Sequence, residues 1–597
     1  MLSISSASLS FSAAAPEPNP PAWPSSVTVC SADDAAACAS SVDAAFATNG
    51  GHDPPNHGQF SSSRYAFLFK PGKYTIDVPV GFYTQVLGLG ASPEDVVFAG
   101  DKGVYCEEGD YDPSVGALDN FWRGAENFAN EAMHDWGTGK GMLWAVSQAS
   151  PLRRVKVAGD LSLYEYISPY PNAGFASGGF MANSQVGGSL RTRGGGHTKS
   201  GLLGDVSPGS QQQWMTRNCA VSGWDGGVWN MVFVGTDGAP AAHCGPPSPM
   251  TTVAKTPVIA EKPFITIDSG GKYTLRIPKA KSDSAGVDWS GDDSVPFDAV
   301  YVASANDTAA AINAKLSAGL HVVLSPGIYK LDAPLQLSTH GQVLLGLGLA
   351  TLVATNGTPA VVVGNVDGVR VGGVLLQAGS GNSPTLLQWG DGTYAGNSNS
   401  PSFFHDVFIR VGGPDSTPVQ ASTMMLVQSG HVVGDNAWLW RADHTATGPV
   451  TGGANPCATG LKVSGDDVTM YGLAVEHTLQ DLTVWTGERG AVYFYQSELP
   501  YDVDQKYGDS GYAGYRVGEG VASHDAWGVG VYHFFRDNEV TVPSGIVVPD
   551  GLVDRIRSPL SVYLSGEGTM EHIINDKGNW TSSKGGGGDA QYYCGGA

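Results

Sequence analysis

Short apolar segments, separated by Pro-Gly and Gly-x-Gly turns, run along most of this chain, and helical periodicity is rare between them. The 82 glycines fit an architecture with a turn every few residues. In the second half the segments recur at roughly the spacing of one β-helix coil. The clearest are residues 352–355, 361–364, 374–377, 407–410, 468–475, 491–495 and 530–535. This pattern predicts an all-β fold of parallel coils. An α/β barrel would need about eight amphipathic helices, and a β-sandwich would not usually need so many strands.

One segment, residues 306–316, has clear amphipathic helical periodicity and lies just before these strands. Asn306 or Asp307 can cap its N-terminus, and Ala310, Ile312 and Leu316 can supply much of its apolar side. A helix at this place would cover the open end of a β-helix, which otherwise presents an unpaired strand edge. We therefore predict a short capping helix.

Residues 67–90 and 322–348 are two copies of one pattern. The positions Pro71, Gly72, Tyr74, Asp77 and Pro79 return as Pro326, Gly327, Tyr329, Asp332 and Pro334. A repeat of this length predicts two tandem, related β-helix domains, and the space between them is the place to look for a site.

The repeat and the composition shifts divide the chain into five parts. We predict an N-terminal lead or signal remnant, a first β-helix domain, a connecting segment, a second β-helix domain and a flexible C-terminal tail. Their bounds are 1–27, 28–250, 251–295, 296–575 and 576–597.

The chain has a formal net charge of −23, from 33 Lys and Arg against 56 Asp and Glu. This balance argues against nucleic acid or an anionic membrane as a partner, and it favours a neutral polysaccharide or oligosaccharide over a polyuronate. The sequence contains no run of 18 apolar residues, so no membrane span is predicted. It also lacks calcium, phosphate-loop and dinucleotide motifs. We expect no cofactor, no metal ion and a monomer.

The seven cysteines do not have the spacing of a zinc site. Cys30 and Cys38 could close a small loop, and Cys106, Cys219 and Cys244 offer one more bridge in the first domain. Small residues precede a candidate signal cleavage point near the N-terminus, although no basic region does. Glycosylation sequons begin at Asn306, Asn356 and Asn579. We expect a secreted glycoprotein.

Two predicted strands of the second domain end in a glutamate. Glu476 and Glu498 are 22 residues apart, close to one coil, and stacked coils lie about 4.8 Å apart. Carboxyls this close resist joint ionisation, so one pKa rises and that group can hold a proton near neutrality. Cleavage of a glycosidic bond needs such a protonated carboxyl as its general acid. The competing interpretation places both glutamates on a solvated rim.

Other candidate residues surround this pair. Asp443 and His444 follow the preceding strand, His477 follows Glu476, and Asp525 would extend the acidic column. Aromatic rings on which a sugar can pack are frequent in the same stretch. They are Trp438, Trp440, Trp485, Tyr493, Tyr495, Tyr501 and Trp527. Alternate strand positions point inward, so about half of these rings should belong to the core.

The first domain has a polar cluster of its own. Gln211, Gln212 and Gln213 precede Trp214, and buried amides need hydrogen-bond partners. The three amides could form a ladder along the β-helix, or they could hold a water molecule or sugar hydroxyls. Glu126 is the best carboxylate of a second polar and aromatic patch at residues 119–128.

The repeated Pro-Gly-Tyr pattern, SerGlyGlyPheMet at 177–181 and GlnGlnTrpMetThrArgAsn at 212–218 resemble glycoside hydrolase family 55, the exo-β-1,3-glucanase (laminarinase) family. The resemblance implies two right-handed parallel β-helices side by side, with the substrate cleft between them. It also implies release of glucose from β-1,3-glucan ends with inversion. By this resemblance Glu498 would be the general acid, Glu476 its helper, and Gln212 and Gln213 holders of water or substrate.

The chain departs from the family pattern in two places. The usual Phe-Gly-Ala-x-Gly-Asp-Gly opening is replaced at residues 296–306, and residues 33–42 match only loosely where the first capping helix should start. The leading hypothesis is a secreted glycoside hydrolase acting on a neutral β-glucan by general acid catalysis. Two alternatives remain: a non-catalytic glycan-binding or structural β-helix, and a polysaccharide lyase, which would need a basic or calcium-bearing groove.

Overall fold

The computed structural model describes residues 15–50, 58–107, 116–167, 172–187, 205–207, 209–247, 249–414, 417–584 and 590–595. Residues 1–14, which hold most of the predicted lead and signal remnant, lie outside the described residues. The described residues form the two tandem parallel β-helices that the sequence predicts, with a connecting segment between them.

The first β-helix begins with a 3-10 turn at Ala32–Asp34 and a capping helix at Ala35–Asn49, where the sequence matched the family only loosely. Its main sheet stacks nine parallel strands. They are Val27–Cys30, Tyr65–Phe69, Thr84–Gly88, Gly124–Asn130, Leu152–Val157, Phe180–Ala182, Gln213–Arg217, Asn230–Val234 and Met250–Val253. Register places Phe67, Val86, Ala125 and Leu152 side by side inside the coil. Such buried columns explain why short apolar segments form the strands.

Shorter strands extend this sheet or form smaller sheets beside it. They are Gly72–Tyr74, Val78–Pro79, Val96–Phe98, Val104–Tyr105, His134–Asp135, Lys140–Leu143, Asp160–Ser162, Tyr166–Ile167, Asn172–Ala173, Gln185–Val186, Asp205–Ser207, Ala220–Val221 and Gly223–Trp224. A 3-10 turn at Pro93–Asp95 precedes one of them.

The second β-helix contains 21 strands among the described residues. They are Val300–Ala303, His321–Leu324, Ile328–Leu331, Leu335–Leu337, Val343–Ala354, Val361–Val363, Arg370–Ala378, Ser383–Trp389, Ser402–Val411, Ala421–Val427, Val432–Arg441, Cys457–Val463, Thr469–Glu476, Thr483–Trp485, Gly490–Glu498, Tyr515–Val517, His524–Val547, Ile556–Arg557, Leu560–Ile574, Thr581–Ser582 and Ala590–Tyr592. A hairpin pairs His444–Thr445 with Gly448–Pro449. Helical segments lie at Phe297–Ala299, Ala309–Ser317, Gln505–Asp509 and Asp550–Arg555.

The predicted capping helix of this domain spans Ala309–Ser317, and the predicted cap residue was wrong. Thr308 caps it, since its Oγ1 accepts a hydrogen bond from the Ala311 N–H at 3.2 Å. Asp307 instead accepts from the Ser304 N–H at 2.8 Å, one turn earlier. Ile312 and Leu316 are buried as predicted, whereas Ala310 is exposed.

The duplicated tyrosine has the same role in both β-helices. The Tyr74 hydroxyl donates to the carbonyl of Lys70 at 2.8 Å, and the Tyr329 hydroxyl donates to that of Ser325 at 2.9 Å. Each hydroxyl also reaches a carbonyl of the first strand, at Cys30 and Ala303 respectively. The repeat therefore preserves the hydrogen bonds that join the Pro-Gly turn to the first coil.

The connecting segment forms antiparallel strands. Phe264–Ile267, Tyr273–Pro278 and Asp292–Pro296 make one small sheet, and Thr256–Ile259 pairs with Lys281–Ser284. The two β-helices pack against each other beside it through buried ions. Arg153 bonds Asp406 and Asp435, both at 2.7 Å, and Arg217 bonds Asp435 and Glu261, both at 2.8 Å. These pairs fix how the two domains face each other, because a buried charge is costly without its partner.

Two disulfides lie among the described residues. Cys30 bonds Cys38 as the sequence suggested, and Cys244 bonds Cys594. The prediction of a second bridge within the first domain was therefore wrong, because Cys244 bonds Cys594 and the buried Cys106 and Cys219 are not disulfide-bonded.

Of the predicted flexible tail, 576–597, residues 585–589, 596 and 597 lie outside the described residues, and the described part contains two short strands. Thr581–Ser582 and Ala590–Tyr592 pair antiparallel with Leu560–Ile574, and Cys594 is cross-linked to the first domain. No described helix is both long and apolar enough to cross a membrane.

Candidate active site

Successive coils of the second β-helix bring polar and aromatic side chains to one edge. Trp440 pairs with Glu476, Glu476 with Glu498, and Glu498 with Tyr532 on successive coils. His477, directly after its strand, has a left-handed φ of +63°, and its N–H donates to the Glu498 carbonyl at 2.8 Å. The backbone therefore turns directly after Glu476, and its hydrogen bond to the next coil keeps both carboxyls at this edge. The structure thus brings the two glutamates together as their spacing predicted.

A cavity of about 610 Å³ separates this edge from the first β-helix. Its first-domain wall consists of Leu118, Asp119, Phe121, Gln148, Phe175, Ser177, Gln212 and Trp229. Its second-domain wall consists of Trp438, Trp440, Asp443, His444, Glu476, His477, Glu498, Tyr501, Phe534, Tyr563 and Leu564. A cleft between two domains, with aromatic walls and a few convergent polar groups, is typical of a ligand site.

Glu476 is held by two N–H donors. Its Oε1 accepts from Gln148 Nε2 at 3.0 Å, across the domain interface, and its Oε2 accepts from Trp438 Nε1 at 2.8 Å. The side chain is only 4% exposed. Both oxygens of Glu476 are therefore engaged by protein N–H groups, although the residue lines the cavity.

Glu498 is more accessible, with 14% of its side chain exposed. Its Oε2 accepts a hydrogen bond from the Tyr501 hydroxyl, and its Oε1 accepts from Gln496 Nε2 at 3.2 Å. Of the two glutamates, this is the one that a substrate in the cavity can reach.

The electrostatics of the pair agree with its geometry. Burial raises the pKa of Glu498 to about 7, although the hydrogen bond from Tyr501 opposes the rise. Burial, followed by the charge of Glu498, raises the pKa of Glu476 well above its usual value. Because the two groups interact, they titrate as a pair and hold a proton near neutrality.

Asp443 lies on the same wall and remains ionised. Burial alone would raise its pKa, but the charge of His444 and a hydrogen bond from its Nδ1, at 3.1 Å, lower the pKa of Asp443. Trp440 Nε1 donates to the same Asp443 oxygen at 3.2 Å. Burial lowers the pKa of His477 to about 4, so this ring is neutral. The site therefore combines a carboxyl pair that holds a proton near neutrality with a separate carboxylate.

Gln212 faces this wall from the first domain. Its side chain is partly exposed in the cavity, and its backbone C=O accepts from the Trp229 N–H at 2.8 Å. The cavity is also rich in rings on which sugars can stack. They belong to Phe121, Phe175, Trp229, Tyr501, Phe534 and Tyr563, whereas Trp438 and Trp440 are buried and stack on each other.

Four predicted site residues lie elsewhere. Gln213 is buried behind the cavity, where its Nε2 donates to the Ser177 carbonyl at 2.8 Å. Glu126 is buried at the domain interface, 2.8 Å from Lys262 Nζ. Trp485 belongs to the core of the second β-helix. Asp525 is paired in register with Ala491, at the far end of the strand, and forms ion pairs with two arginines.

Sequence reasoning missed Gln148 and Ser177. Ser177 Oγ donates to Gln148 Oε1 at 2.9 Å, and Gln148 in turn donates to Glu476. Gln148 lies in a loop just before the strand Leu152–Val157, so no strand periodicity marks it. Ser177 opens the SerGlyGlyPheMet motif, and that motif was the one available signal.

Comparison with known proteins places this site in context. Residues 300–498 match the LAM55 pectate lyase-like domain. An exo-β-1,3-glucanase from Streptomyces sp. (strain SirexAA-E / ActE) is 41% identical over 536 residues, which cover 88% of this chain and 83% of that protein. The structure of sacteLam55A from Streptomyces sp. SirexAA-E is similar with a TM-score of 0.85 at 37% identity, over 97% of this chain and 99% of that one. A glutamate-to-alanine variant of sacteLam55A, in complex with glucose, gives the same values.

Proposed function

The chain belongs to the family of glycoside hydrolases that carry the LAM55 pectate lyase-like domain, and from that premise we propose that it hydrolyses β-1,3-glucan. The 41% identical relative is an exo-β-1,3-glucanase, which supports this substrate. The observation that carries the proposal is the glutamate pair at an aromatic cleft between the two β-helices. A pair that holds a proton near neutrality supplies the acid that glycosidic cleavage needs.

We assign the general acid to Glu498. It reaches the cavity, and its pKa of about 7 keeps much of it protonated at neutral pH. Glu476 assists Glu498. The two carboxyls titrate as a pair, so the protonation state of Glu476 sets the pKa of Glu498. The N–H groups of Gln148 and Trp438 keep Glu476 in this position.

Inversion requires a water molecule on the sugar face opposite the acid, with the two acting groups about 6.5–9.5 Å apart. Glu476 and Glu498 lie on adjacent coils, about 4.8 Å apart, so the water cannot lie between them. The first-domain wall presents Gln148, Ser177 and Gln212 instead. We propose that these polar groups hold the water, as the sequence suggested for Gln212.

The short spacing of the glutamates also favours a second candidate, a retaining reaction with Glu476 as nucleophile. Against it, both oxygens of Glu476 accept protein N–H groups and the side chain is 4% exposed. The nucleophile of a retaining reaction must present a free oxygen to the anomeric carbon, and both Glu476 oxygens already accept protein N–H groups.

The wall chemistry suits a neutral glucan better than the lyase substrates. Among the described residues, the cavity lining contains no lysine or arginine to bind a uronate carboxylate. Asp443 instead offers ionised oxygens to sugar hydroxyls, the buried Trp440 holds Asp443 through its indole N–H, and Tyr501 offers an aromatic ring. We therefore assign Asp443, His477, Trp440 and Tyr501 to substrate binding.

We also propose that the protein is exported and acts as a monomer. Two disulfides support export, because such bonds persist in oxidising compartments.

The test has two parts. Release of glucose from laminarin is compared between wild type, Glu498→Gln and Asp525→Asn; the first variant should lose activity and the second should keep it, because Asp525 lies outside the cleft. NMR of the first product formed then identifies the anomer. α-Glucose as the first product supports inversion, whereas β-glucose would show that the reaction retains the anomeric configuration. Equal rates for all three proteins would remove Glu498 from the acid role.

A further inference from the structure

The last described residues of the chain form a strand behind the second-domain wall of the cleft. Ala590–Tyr592 pairs antiparallel with Leu560–Val562, with Tyr592 opposite Leu560. The residues that follow Val562, Tyr563 and Leu564, line the cavity. The C-terminal strand therefore supports the segment that leads into the site.

Tyr592 also reaches the opposite wall. Its hydroxyl donates to the Trp229 carbonyl at 3.0 Å, and the Trp229 N–H donates to the Gln212 carbonyl at 2.8 Å. The Trp229 ring lies 5.8 Å from the Tyr532 ring, one coil beyond Glu498. Trp229 is thus held on both sides of its backbone, and its side chain is still partly exposed in the cavity.

A covalent bond completes this attachment. Cys594, two residues after Tyr592, forms a disulfide with Cys244 of the first domain, although 350 residues separate them in sequence. The C-terminal strand belongs to the sheet of the second domain, so the disulfide ties the two domains together beside the cleft.

We propose that residues 590–594, the C-terminal strap, position Trp229 as a wall of the glucan-binding cleft. The inference rests on the proposed function, because the bound glucan is the ligand that the indole would contact. Tyr592 is a positioning residue: its hydroxyl bonds the Trp229 backbone and touches neither glutamate. The strap acts on substrate binding and leaves the chemical step alone.

The test separates KM from kcat with laminarin as substrate. Tyr592→Phe removes only the hydroxyl, and the Cys244→Ser/Cys594→Ser double variant removes only the cross-link. Both should raise KM, by roughly three- to tenfold for the loss of one hydrogen bond, with kcat unchanged. Dithiothreitol should raise the KM of the wild type in the same direction and add nothing in the double variant. Tyr593→Phe is the matched control, since that ring packs on the core of the second β-helix, and its KM should not change.

Unchanged KM in both test variants would overturn the proposal that the C-terminal strap positions Trp229. A fall in kcat with constant KM would also overturn the proposal. Such a result means that a smaller fraction of the protein is folded and active, while the folded protein binds the glucan as tightly as before. These results differ from failure of the proposed function, in which the wild type itself would release no glucose from laminarin.

Discussion

Replacing Tyr501 by phenylalanine would remove a single hydroxyl beside the proposed acid. That hydroxyl donates to Glu498 and favours its ionised form. Phenylalanine keeps the ring packed against His477 and Phe534, whose ring centroids lie 4.3 and 4.7 Å away. The substitution therefore isolates the hydrogen bond from the packing.

The size of the effect follows from the strength of that bond. A hydrogen bond to a charged group contributes roughly 1.5–3 kcal/mol, and one pKa unit corresponds to about 1.36 kcal/mol. Without the Tyr501 hydroxyl, the pKa of Glu498 should rise from its value of about 7 by roughly one to two units. A general acid works in its protonated form, so the variant should stay active at higher pH.

The assay is the pH dependence of kcat/KM on laminarin, which reports groups of the free enzyme. On the alkaline side, kcat/KM of the wild type should decrease with a midpoint near pH 7. In Tyr501→Phe this midpoint should lie higher by the same shift of roughly one to two pH units. Tyr563→Phe is the control: Tyr563 lines the same cavity, but its hydroxyl donates to the Gly566 carbonyl at 2.9 Å. An alkaline limb that stays in place or moves to lower pH in Tyr501→Phe would refute the reasoning.

Three further predictions concern stability and the helper glutamate. Glu498→Gln should be more stable than the wild type at pH 8 and equally stable at pH 4. Burial raises the pKa of Glu498 in the folded protein to about 7. Ionising this buried group therefore lowers the free energy of unfolding of the wild type by about 3 kcal/mol once the pH has risen past that pKa. Urea unfolding at the two pH values measures this, and equal stability at pH 8 contradicts it. Arg217→Leu should lower the free energy of unfolding by about 3–5 kcal/mol, because it removes the ion pair of Glu261 and leaves the buried Asp435 with Arg153 alone. The exposed Arg489→Leu should leave the free energy of unfolding nearly unchanged. Similar losses in both variants would count against the interface network. Trp438→Phe removes the N–H donor to Glu476. It should lower kcat on laminarin about tenfold. An unchanged kcat would show that this donor is not needed for the reaction.

The parts of the fold that repeat were predictable from the sequence. The two Pro-Gly-Tyr copies predicted two β-helices, because each tyrosine makes the same turn-closing hydrogen bonds. The pairing of Glu476 with Glu498 was predictable for the same reason, since a coil of 22 residues brings equivalent positions together.

Irregular coils and long-range contacts were not predictable in this way. The coil after Glu498 passes through the helix Gln505–Asp509, so its partner is Tyr532, 34 residues on, and Asp525 falls at the wrong end of the strand. Gln148 lies in a loop, and its contact with Glu476 depends on how the domains pack. The Cys244–Cys594 bond spans 350 residues, which leave no local pattern.

The most direct measurement compares Glu498→Gln on two substrates with different leaving groups. Laminarin needs a proton on its departing sugar, so the variant should lose about 10²–10⁴-fold in kcat. A dinitrophenyl β-glucoside releases a stable phenolate without that proton, and on it the variant should keep a rate close to that of the wild type. An equal loss on both substrates would contradict the assignment of Glu498 as the general acid.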